Sequence, residues 1–165
     1  MKTAVSLKTV REIMATPPEA VSAHLTVGAL LKLFDRHAED AFPVVDHDGV
    51  LLGLVSRLDV LRLLRPGPEF LVPDWKTVAA KSVQAIMRHG IIGVEPQDPA
   101  FAAADLMIET RFQSLPVVER RAGKPVLVGL VTRNALLEAL LPSETRASYP
   151  QKRSREIPKV AVKRT

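Results

Sequence analysis

The run Gly-Leu-Val-Ser-Arg at residues 53–57 recurs as Gly-Leu-Val-Thr-Arg at residues 129–133. Each run follows a second matched stretch, which reads Phe-Pro-Val-Val at residues 42–45 and Leu-Pro-Val-Val at residues 115–118. The copies are offset by 73 residues at the earlier stretch and by 76 at the later one. The extra residues fall between matched strands, where a hairpin turn tolerates an insertion. The chain therefore contains one structural unit written twice.

Each copy is predicted to run helix, strand, helix, strand, strand, helix. In the first copy, Thr9 and Glu12 form a capping-box pattern, which predicts an opening helix. The apolar runs at residues 42–45 and 50–55 predict two strands, because the sequence Asp-His-Asp-Gly between them is typical of a hairpin turn. In the second copy, Asp74 is the expected cap of an opening helix that begins early.

Apolar residues on the helices exceed what one small core can bury. The helix after Ser56 is expected to point Leu58, Leu61 and Leu64 inward. The best apolar face of the helix that follows Pro99 is assigned to Phe101, Ala104, Leu106, Met107 and Ile108. A surplus of exposed apolar side chains usually marks an interface, so we predict a homodimer. The residues behind that prediction are Leu30, Leu33, Leu61, Leu64, Leu106, Leu136, Leu137, Leu140 and Leu141.

Length and composition favour a soluble globular protein. The 165 residues suit one compact domain or two small repeats that share a core. Apolar residues make up 47% and charged residues 25%, which excludes wholesale disorder and collagen-like structure. No apolar run approaches the roughly 20 residues that span a bilayer, so no membrane association is expected. The start lacks the apolar core of a secretion signal and the chain has no cysteine, so we expect a cytoplasmic protein without disulfides.

The net charge of +5 belongs to the end of the chain. Residues 142–165 carry seven basic and two acidic side chains, so residues 1–141 are neutral overall. A basic tail is typical of a solvated solubility element, or of contact with an acidic partner or nucleic acid. Nucleic acid is therefore not an expected partner of the folded body, and the possibility stays open only for the tail.

The repeat divides the chain into four parts. Three prolines and Gly67 within residues 65–73 indicate a linker between the copies. The predicted parts are the first repeat at residues 1–64, the linker at 65–80, the second repeat at 81–141 and the basic tail at 142–165.

The order of these motifs resembles the cystathionine-β-synthase (CBS) domain. The resemblance rests on an apolar residue before Met14, a short strand, Pro-Val-Val-Asp at residues 43–46, and Gly-Leu-Val-Ser at residues 53–56 followed by Asp59. Two copies in tandem resemble a Bateman module. The resemblance implies an α/β (α+β) fold of two CBS repeats packed with pseudo-two-fold symmetry, each a small sheet with helices on one side. It also implies two clefts that in relatives commonly bind adenine nucleotides, and pairing into disc-shaped dimers.

Ser56 and Asp59 form a pattern that suits a phosphorylated ligand with a ribose. Ser56 stands where a buried strand meets a helix N-terminus, so its hydroxyl and the unpaired N–H groups there can bind an anion. Asp59 lies one helical turn later, and its carboxylate can accept hydrogen bonds from two ribose hydroxyls. The alternative is that Ser56 only caps the helix and Asp59 stabilises its first turn.

The resemblance implies which residues share the cleft with Ser56 and Asp59. Backbone groups near Ile92 would contact the adenine edge, and apolar side chains would enclose the ring. Arg57 would face the phosphates, although a salt bridge to a neighbouring acidic side chain explains it equally well. Arg88 stands where a phosphate can also be met. The predicted nucleotide-binding residues are Ser56, Arg57, Asp59, Met87, Ile92, Gly93, Phe112 and Gln113.

The second cleft departs from the pattern. Thr132 keeps the hydroxyl, but Ala135 stands where the first copy has Asp59. The resemblance sets this cleft against Glu19, Ala20, Glu39 and Asp40, whose acidic groups oppose an anion. We assign the degenerate cleft to Thr132, Arg133 and Ala20, and we expect one ligand per chain.

No catalytic or metal site is predicted. The chain has no Gly-x-Ser-x-Gly, phosphate-loop, His-Glu-x-x-His or Rossmann pattern, and its histidines show no ligand spacing. The first hypothesis is a regulatory module that needs no cofactor and senses AMP, ADP, ATP or S-adenosylmethionine. The second hypothesis is a ligand-free dimeric scaffold that docks an unknown protein partner. The third is a nucleic-acid-associated protein that acts through the basic tail.

Overall fold

A computed structural model describes residues 8–142 except Pro17, Ala38, Phe70 and Ile92. The predictions for Ile92 and for the tail beyond Pro142 lie outside the described residues. Short 3-10 helices at Val10–Glu12 and Val83–Ala85 open the two repeats. The elements are β1 (Val21–Ser22), α1 (Val27–Arg36), β2 (Ala41–Val45), β3 (Leu51–Ser56), α2 (Arg57–Leu63), α3 (Trp75–Ala80), β4 (Arg88–His89), α4 (Ala100–Thr110), β5 (Ser114–Arg121), β6 (Lys124–Thr132) and α5 (Arg133–Leu140).

The predicted hairpin in the first repeat is confirmed. β2 and β3 pair antiparallel, and β1 adds to β2 in parallel. The turn between β2 and β3 is held by Asp46, because its Oδ1 accepts the N–H groups of Asp48 and Val50, each at 2.9 Å. Gly49 completes the turn with a φ of +77°, which favours glycine. β5 and β6 form the matching hairpin of the second repeat, so the mixed α+β fold is confirmed.

The opening segment of each repeat pairs with the hairpin of the other repeat. β4 belongs to the second repeat in sequence, yet it pairs with β3, where Arg88 lies opposite Leu54. The matched contact joins Ala15 to Leu130 in β6. These reciprocal pairings relate the two repeats by a pseudo-two-fold axis, as predicted.

Each of the two hydrophobic cores is completed by residues that precede the other repeat's hairpin. The core built on α1, β2 and β3 includes Val78, Val83 and Met87 from residues 78–87. The core built on α4, β5 and β6 includes Val10. The predicted linker contains α3, whose N-cap Asp74 accepts the N–H of Thr77 at 3.0 Å, as the sequence indicated.

The predicted inward face of α2 is wrong for Leu58 and Leu61. These leucines are 51% and 61% exposed, whereas Asp59 and Val60 are buried. Leu64 does pack against the first core, together with Leu63. In a helix of two turns, Val60, Leu63 and Leu64 form an apolar stripe as good as the predicted one, so periodicity alone cannot choose between them.

The predicted face of α4 is also partly wrong. Phe101 and Ile108 are exposed, and the buried face consists of Ala100, Ala103 and Met107. The buried face therefore combines two small alanines with one large side chain, Met107, while Phe101 and Ile108 remain on the outer side. The described part of the chain holds no helix long and apolar enough to cross a bilayer.

Candidate functional site

A cleft lies between the start of α2 and the segment that follows α4. We call it the first cleft, and its volume of about 370 Å³ falls in the range of about 300–1,000 Å³ that is typical of small-molecule sites. It is lined by Asp40, Ala41, Leu54, Ser56, Arg57, Leu58, Asp59, Leu61, Arg88, Arg111, Phe112 and Gln113. The cleft thus brings together five of the eight predicted residues: Ser56, Arg57, Asp59, Phe112 and Gln113.

Ser56 and Asp59 form the capping box at the start of α2. The hydroxyl of Ser56 accepts the N–H of Asp59 at 3.3 Å, and it donates to Oδ2 of Asp59 at 2.6 Å. The N–H of Ser56 donates to the same Oδ2 at 2.9 Å. The capping role that the sequence left open is therefore present in the structure.

Two arginines hold the other oxygen of the Asp59 carboxylate. Nη1 of Arg62 donates to Oδ1 at 2.8 Å, and Nε of Arg88 donates to it at 3.2 Å. The Asp59 side chain is only 4% exposed, so these charges are needed to offset its removal from water. Four donors surround the carboxylate, which has about four acceptor positions. A ribose hydroxyl can therefore bind Asp59 only by replacing one of them.

Arg57 is held at the wall of the first cleft rather than pointing freely into it. Its Nε lies 3.5 Å from Oδ1 of Asp40, and its Nη2 donates to the carbonyl oxygen of Phe34. The guanidinium also lies 4.7 Å from the ring centre of Phe34. The salt bridge that the sequence left open is therefore observed.

The second cleft is smaller and more acidic. Its volume is about 250 Å³, and its lining is Glu39, Asp40, Gln113, Ser114, Thr132, Arg133 and Asn134. Thr132 caps α5 by accepting the N–H of Ala135 at 3.2 Å. Two acidic side chains face one arginine here, whereas three arginines face two aspartates in the first cleft.

Several predicted residues do not line these clefts. Met87 is buried in the first core, and Gly93 lies against Pro116 and Val118 of β5. Ala20 is exposed before β1 and is not part of the second cleft. Glu19, also expected there, pairs instead with His37 at 2.7 Å.

Asp40 and Arg111 line the first cleft although the sequence did not point to them, and Arg88, where the sequence did suggest a phosphate contact, was not among the eight predicted residues. The repeat itself carries a signal for two of them, because Ala15 matches Arg88 and Ala38 matches Arg111 at the 73-residue offset. Both arginines are therefore present in one copy and replaced by alanine in the other. This difference gives the two clefts opposite charge.

Histidine and carboxylate groups lie close together at two places among the described residues. Ligand atoms of Glu19, His37 and Glu39 lie within 4.8 Å of one another, and so do those of Asp46, His47 and Asp48. The contact between Glu19 and His37 accounts for the first group, and the hairpin turn at Asp46 accounts for the second. The absence of a metal site stays a prediction.

Known proteins are similar to this chain over most of its length. A CBS domain-containing protein of Dictyostelium discoideum is 31% identical over 136 residues, which cover 80% of this chain and 90% of that protein. The A-adding tRNA nucleotidyltransferase of Aquifex aeolicus (strain VF5) is 31% identical over 137 residues, which cover 82% of this chain and only 15% of that enzyme. The crystal structure of CBSX2 in complex with AMP has a TM-score of 0.65 and 28% identity, covering 79% of this chain and 94% of that one.

The model of the CBS domain family matches residues 10–66 and again residues 83–142. These two matches contain both hairpins and the helices α2 and α5 that follow them. The chain therefore belongs to the CBS domain family and carries two CBS domains in tandem.

Proposed function

We propose that the chain is a regulatory module that binds an adenine nucleotide in its first cleft. The observation that carries this proposal is the cleft's lining, in which the buried carboxylate of Asp59 stands near the ring of Phe112 and three arginines. A carboxylate suits ribose hydroxyls, an aromatic ring suits a base, and guanidinium groups suit phosphate. AMP is the ligand of the CBSX2 structure, which supports this class of ligand.

The charge of the first cleft favours a phosphorylated ligand over S-adenosylmethionine. Arg57, Arg88 and Arg111 outnumber the two aspartates, so the cleft carries an excess of positive charge. A sulfonium cation would meet repulsion there, whereas a phosphate would be attracted. We therefore propose AMP, ADP or ATP as the ligand, with a stoichiometry of one per chain.

The second cleft supports that stoichiometry. Glu39 and Asp40 repel a phosphate, and Ala135 offers no carboxylate to a ribose. Its volume of about 250 Å³ also lies below the range of about 300–1,000 Å³ for small-molecule sites. This cleft is proposed to stay weak or empty.

The extent of the matched region in relatives supports a regulatory role. The match to the tRNA nucleotidyltransferase covers a small part of that enzyme, whereas the Dictyostelium relative has nearly this chain's extent. We propose that this chain has no catalytic activity of its own, resides in the cytoplasm and passes ligand binding to a protein partner. A ligand can do so by changing the populations of two arrangements of the repeats.

A homodimer is proposed as the working form of the module. Leu61 on α2 and Leu137 on α5 are matched positions, and both are exposed. Ile108 on α4 is 75% exposed, beside an apolar groove of about 430 Å³ between α4 and α5. Leu30 and Leu136, which also supported this prediction, are buried within the chain and cannot contribute.

Isothermal titration calorimetry with AMP tests the proposed function. The expected result is one AMP per chain, and Asp59→Ala should weaken binding about 10- to 100-fold, because a hydrogen bond to a charged group is lost. Normal binding by Asp59→Ala would reject the assignment. Absence of binding and of thermal stabilisation by AMP, ADP and ATP would favour the scaffold. Salt-dependent nucleic acid binding that is lost on deleting residues 142–165 would favour the third hypothesis.

A further inference from the structure

Arg88 reaches across the first cleft from one repeat to the other. It lies on β4, and its Nε contacts Oδ1 of Asp59 at 3.2 Å. Its guanidinium carbon also lies 5.7 Å from the ring centre of Phe112. The side chain is 35% exposed, so a ligand in the cleft can contact it. Arg88 thus spans the space between the carboxylate and the aromatic ring of the proposed site.

The four donors around Asp59 differ in how easily they can be replaced. The two from Ser56 belong to the capping box of α2, and the one from Arg62 comes from the next turn of the same helix. Arg62 does not line the first cleft. Arg88 is the donor that both lines the cleft and comes from the other repeat. A ligand in the cleft can therefore replace the bond from Arg88 to Asp59 without breaking the capping box of α2.

We propose that Arg88 is a displaceable latch that makes the first cleft prefer phosphorylated adenosine over adenosine itself. The inference rests on the proposed function and names the residue that sets its specificity. A ribose hydroxyl takes Oδ1 of Asp59 only when Arg88 releases it. A phosphate then gives the freed guanidinium a new charged partner, whereas adenosine leaves it with none. Only an anionic ligand therefore compensates for breaking the bond between Arg88 and Asp59.

Binding of AMP and of adenosine to the wild type, Arg88→Gln and Arg62→Gln tests the latch. The wild type should bind AMP at least about tenfold more tightly than adenosine, since a charge-assisted bond separates the two ligands. Arg88→Gln should bind adenosine more tightly than the wild type does, and its preference for AMP should fall by about tenfold. Arg62→Gln is the matched control, because Arg62 shares Oδ1 of Asp59 with Arg88 but does not line the first cleft. The bond between Arg88 and Asp59 stays in place in this variant, so the preference for AMP should be unchanged.

The outcomes separate the latch from the proposed function. Failure of the wild type to bind either ligand would overturn both. Equal affinity of the wild type for AMP and adenosine, or an unchanged preference in Arg88→Gln, would overturn the latch alone. Arg88→Gln leaves Asp59 paired with Arg62, so it should fold. Arg88→Met, which keeps the aliphatic stem near Phe112, is the second variant.

NMR spectroscopy of the wild type also tests whether Arg88 releases Asp59. The Nε–Hε resonance of Arg88 should shift on saturation with AMP, because the guanidinium exchanges a carboxylate for a phosphate. A resonance that stays at its ligand-free position in the AMP complex would contradict the latch.

Discussion

The backbone carbonyl oxygen of Arg88 occupies the space that a Cβ on Gly53 would need. The sulfur of Met87 would lie only 3.3 Å from the same Cβ. Gly53 therefore allows β4 of the second repeat to approach β3 of the first, and this approach carries the side chain of Arg88 to Asp59. The glycine of the repeated motif thus serves the contact between the repeats.

Gly53→Ala should destabilise the fold by about 1–3 kcal/mol, because the new methyl group meets backbone rather than a flexible side chain. Gly67→Ala is the control, since a Cβ there meets no atom within 4 Å, and it should change stability by less than about 0.5 kcal/mol. Urea unfolding of both variants measures the difference. Equal stability of Gly53→Ala and the wild type would show that β4 can shift without cost.

Ser56→Ala and Thr132→Ala form a matched pair, because both residues cap the helix that follows a hairpin. Each variant should lose about 1 kcal/mol of stability through its lost cap. Only Ser56→Ala should weaken AMP binding, since the second cleft is proposed to be empty. Thermal unfolding and calorimetry give the two readouts. Equal weakening of AMP binding by both variants would argue against unequal clefts.

Ala135→Asp should not create a second AMP site. The new carboxylate completes a capping box with Thr132 and should raise stability by a few tenths of a kcal/mol or more. However, Glu39 and Asp40 still repel a phosphate, and Ala15 provides no counterpart to Arg88. Calorimetry should still give one AMP per chain. Two bound AMP molecules would show that the missing carboxylate alone disables the second cleft.

Leu61→Asp should dissociate the proposed homodimer into monomers at micromolar concentration, because it sets a charge on an exposed apolar helix face. Leu71→Asp is the control, since Leu71 is equally exposed but lies outside the helices. Sedimentation velocity distinguishes the two states. A monomeric wild type at this concentration would remove the basis of the proposal.

The wild type should have a higher free energy of unfolding than Asp46→Asn near neutral pH, and this difference should become smaller in acid. The N–H groups of Val50 and Asp48 donate to Asp46 and hold the pKa of its carboxyl below the ordinary value of 3.8. A carboxyl with a lowered pKa in the folded state stabilises the fold above the unfolded value, and this contribution is lost as pH falls through the folded value. Asparagine still accepts both N–H groups but cannot ionise.

Urea unfolding at pH 6 and again below pH 3.8 checks this narrowing. Asp48→Asn is the control on the same turn. Its side chain accepts no backbone N–H among the described hydrogen bonds, so no loss of such a bond accompanies the substitution. An unchanged difference between the wild type and Asp46→Asn at the two pH values would contradict the prediction.

The hairpins could be predicted from sequence, because Pro-Val-Val and Gly-Leu-Val define matched strands on either side of a turn. The inner face of α2 could not, since Val60, Leu63 and Leu64 compete with Leu58 and Leu61 for the core, and a contact with the sheet decides between them. Thr9 and Glu12 do form a hydrogen bond at 2.7 Å, but only a 3-10 helix follows.

The candidate site, like the fold, could be predicted only in part from the sequence. Ser56 and Phe112 line one cleft, as the resemblance implied, and their role in binding stays a prediction. The pairing of Arg88 with Asp59 could not be predicted, because it depends on the register between β4 and β3, which are joined by a long intervening chain. The replacement of Arg88 by Ala15 between the copies is visible in the 73-residue offset, but its effect on Asp59 is not.

The exchange of segments between the two cores bears on how the molecule unfolds. If the first repeat unfolded alone, Val78, Val83 and Met87 would lose the apolar side chains that they pack against. If the second repeat unfolded alone, Val10 would lose its packing partners in the same way. Neither half can therefore melt while the other stays intact, and the described residues should denature in one cooperative transition. A nucleotide bound at one cleft then raises the unfolding free energy of both halves, by about 2.7 kcal/mol when it is present at 100 times its dissociation constant. A chain in which one cleft is disabled can still be stabilised throughout by the other.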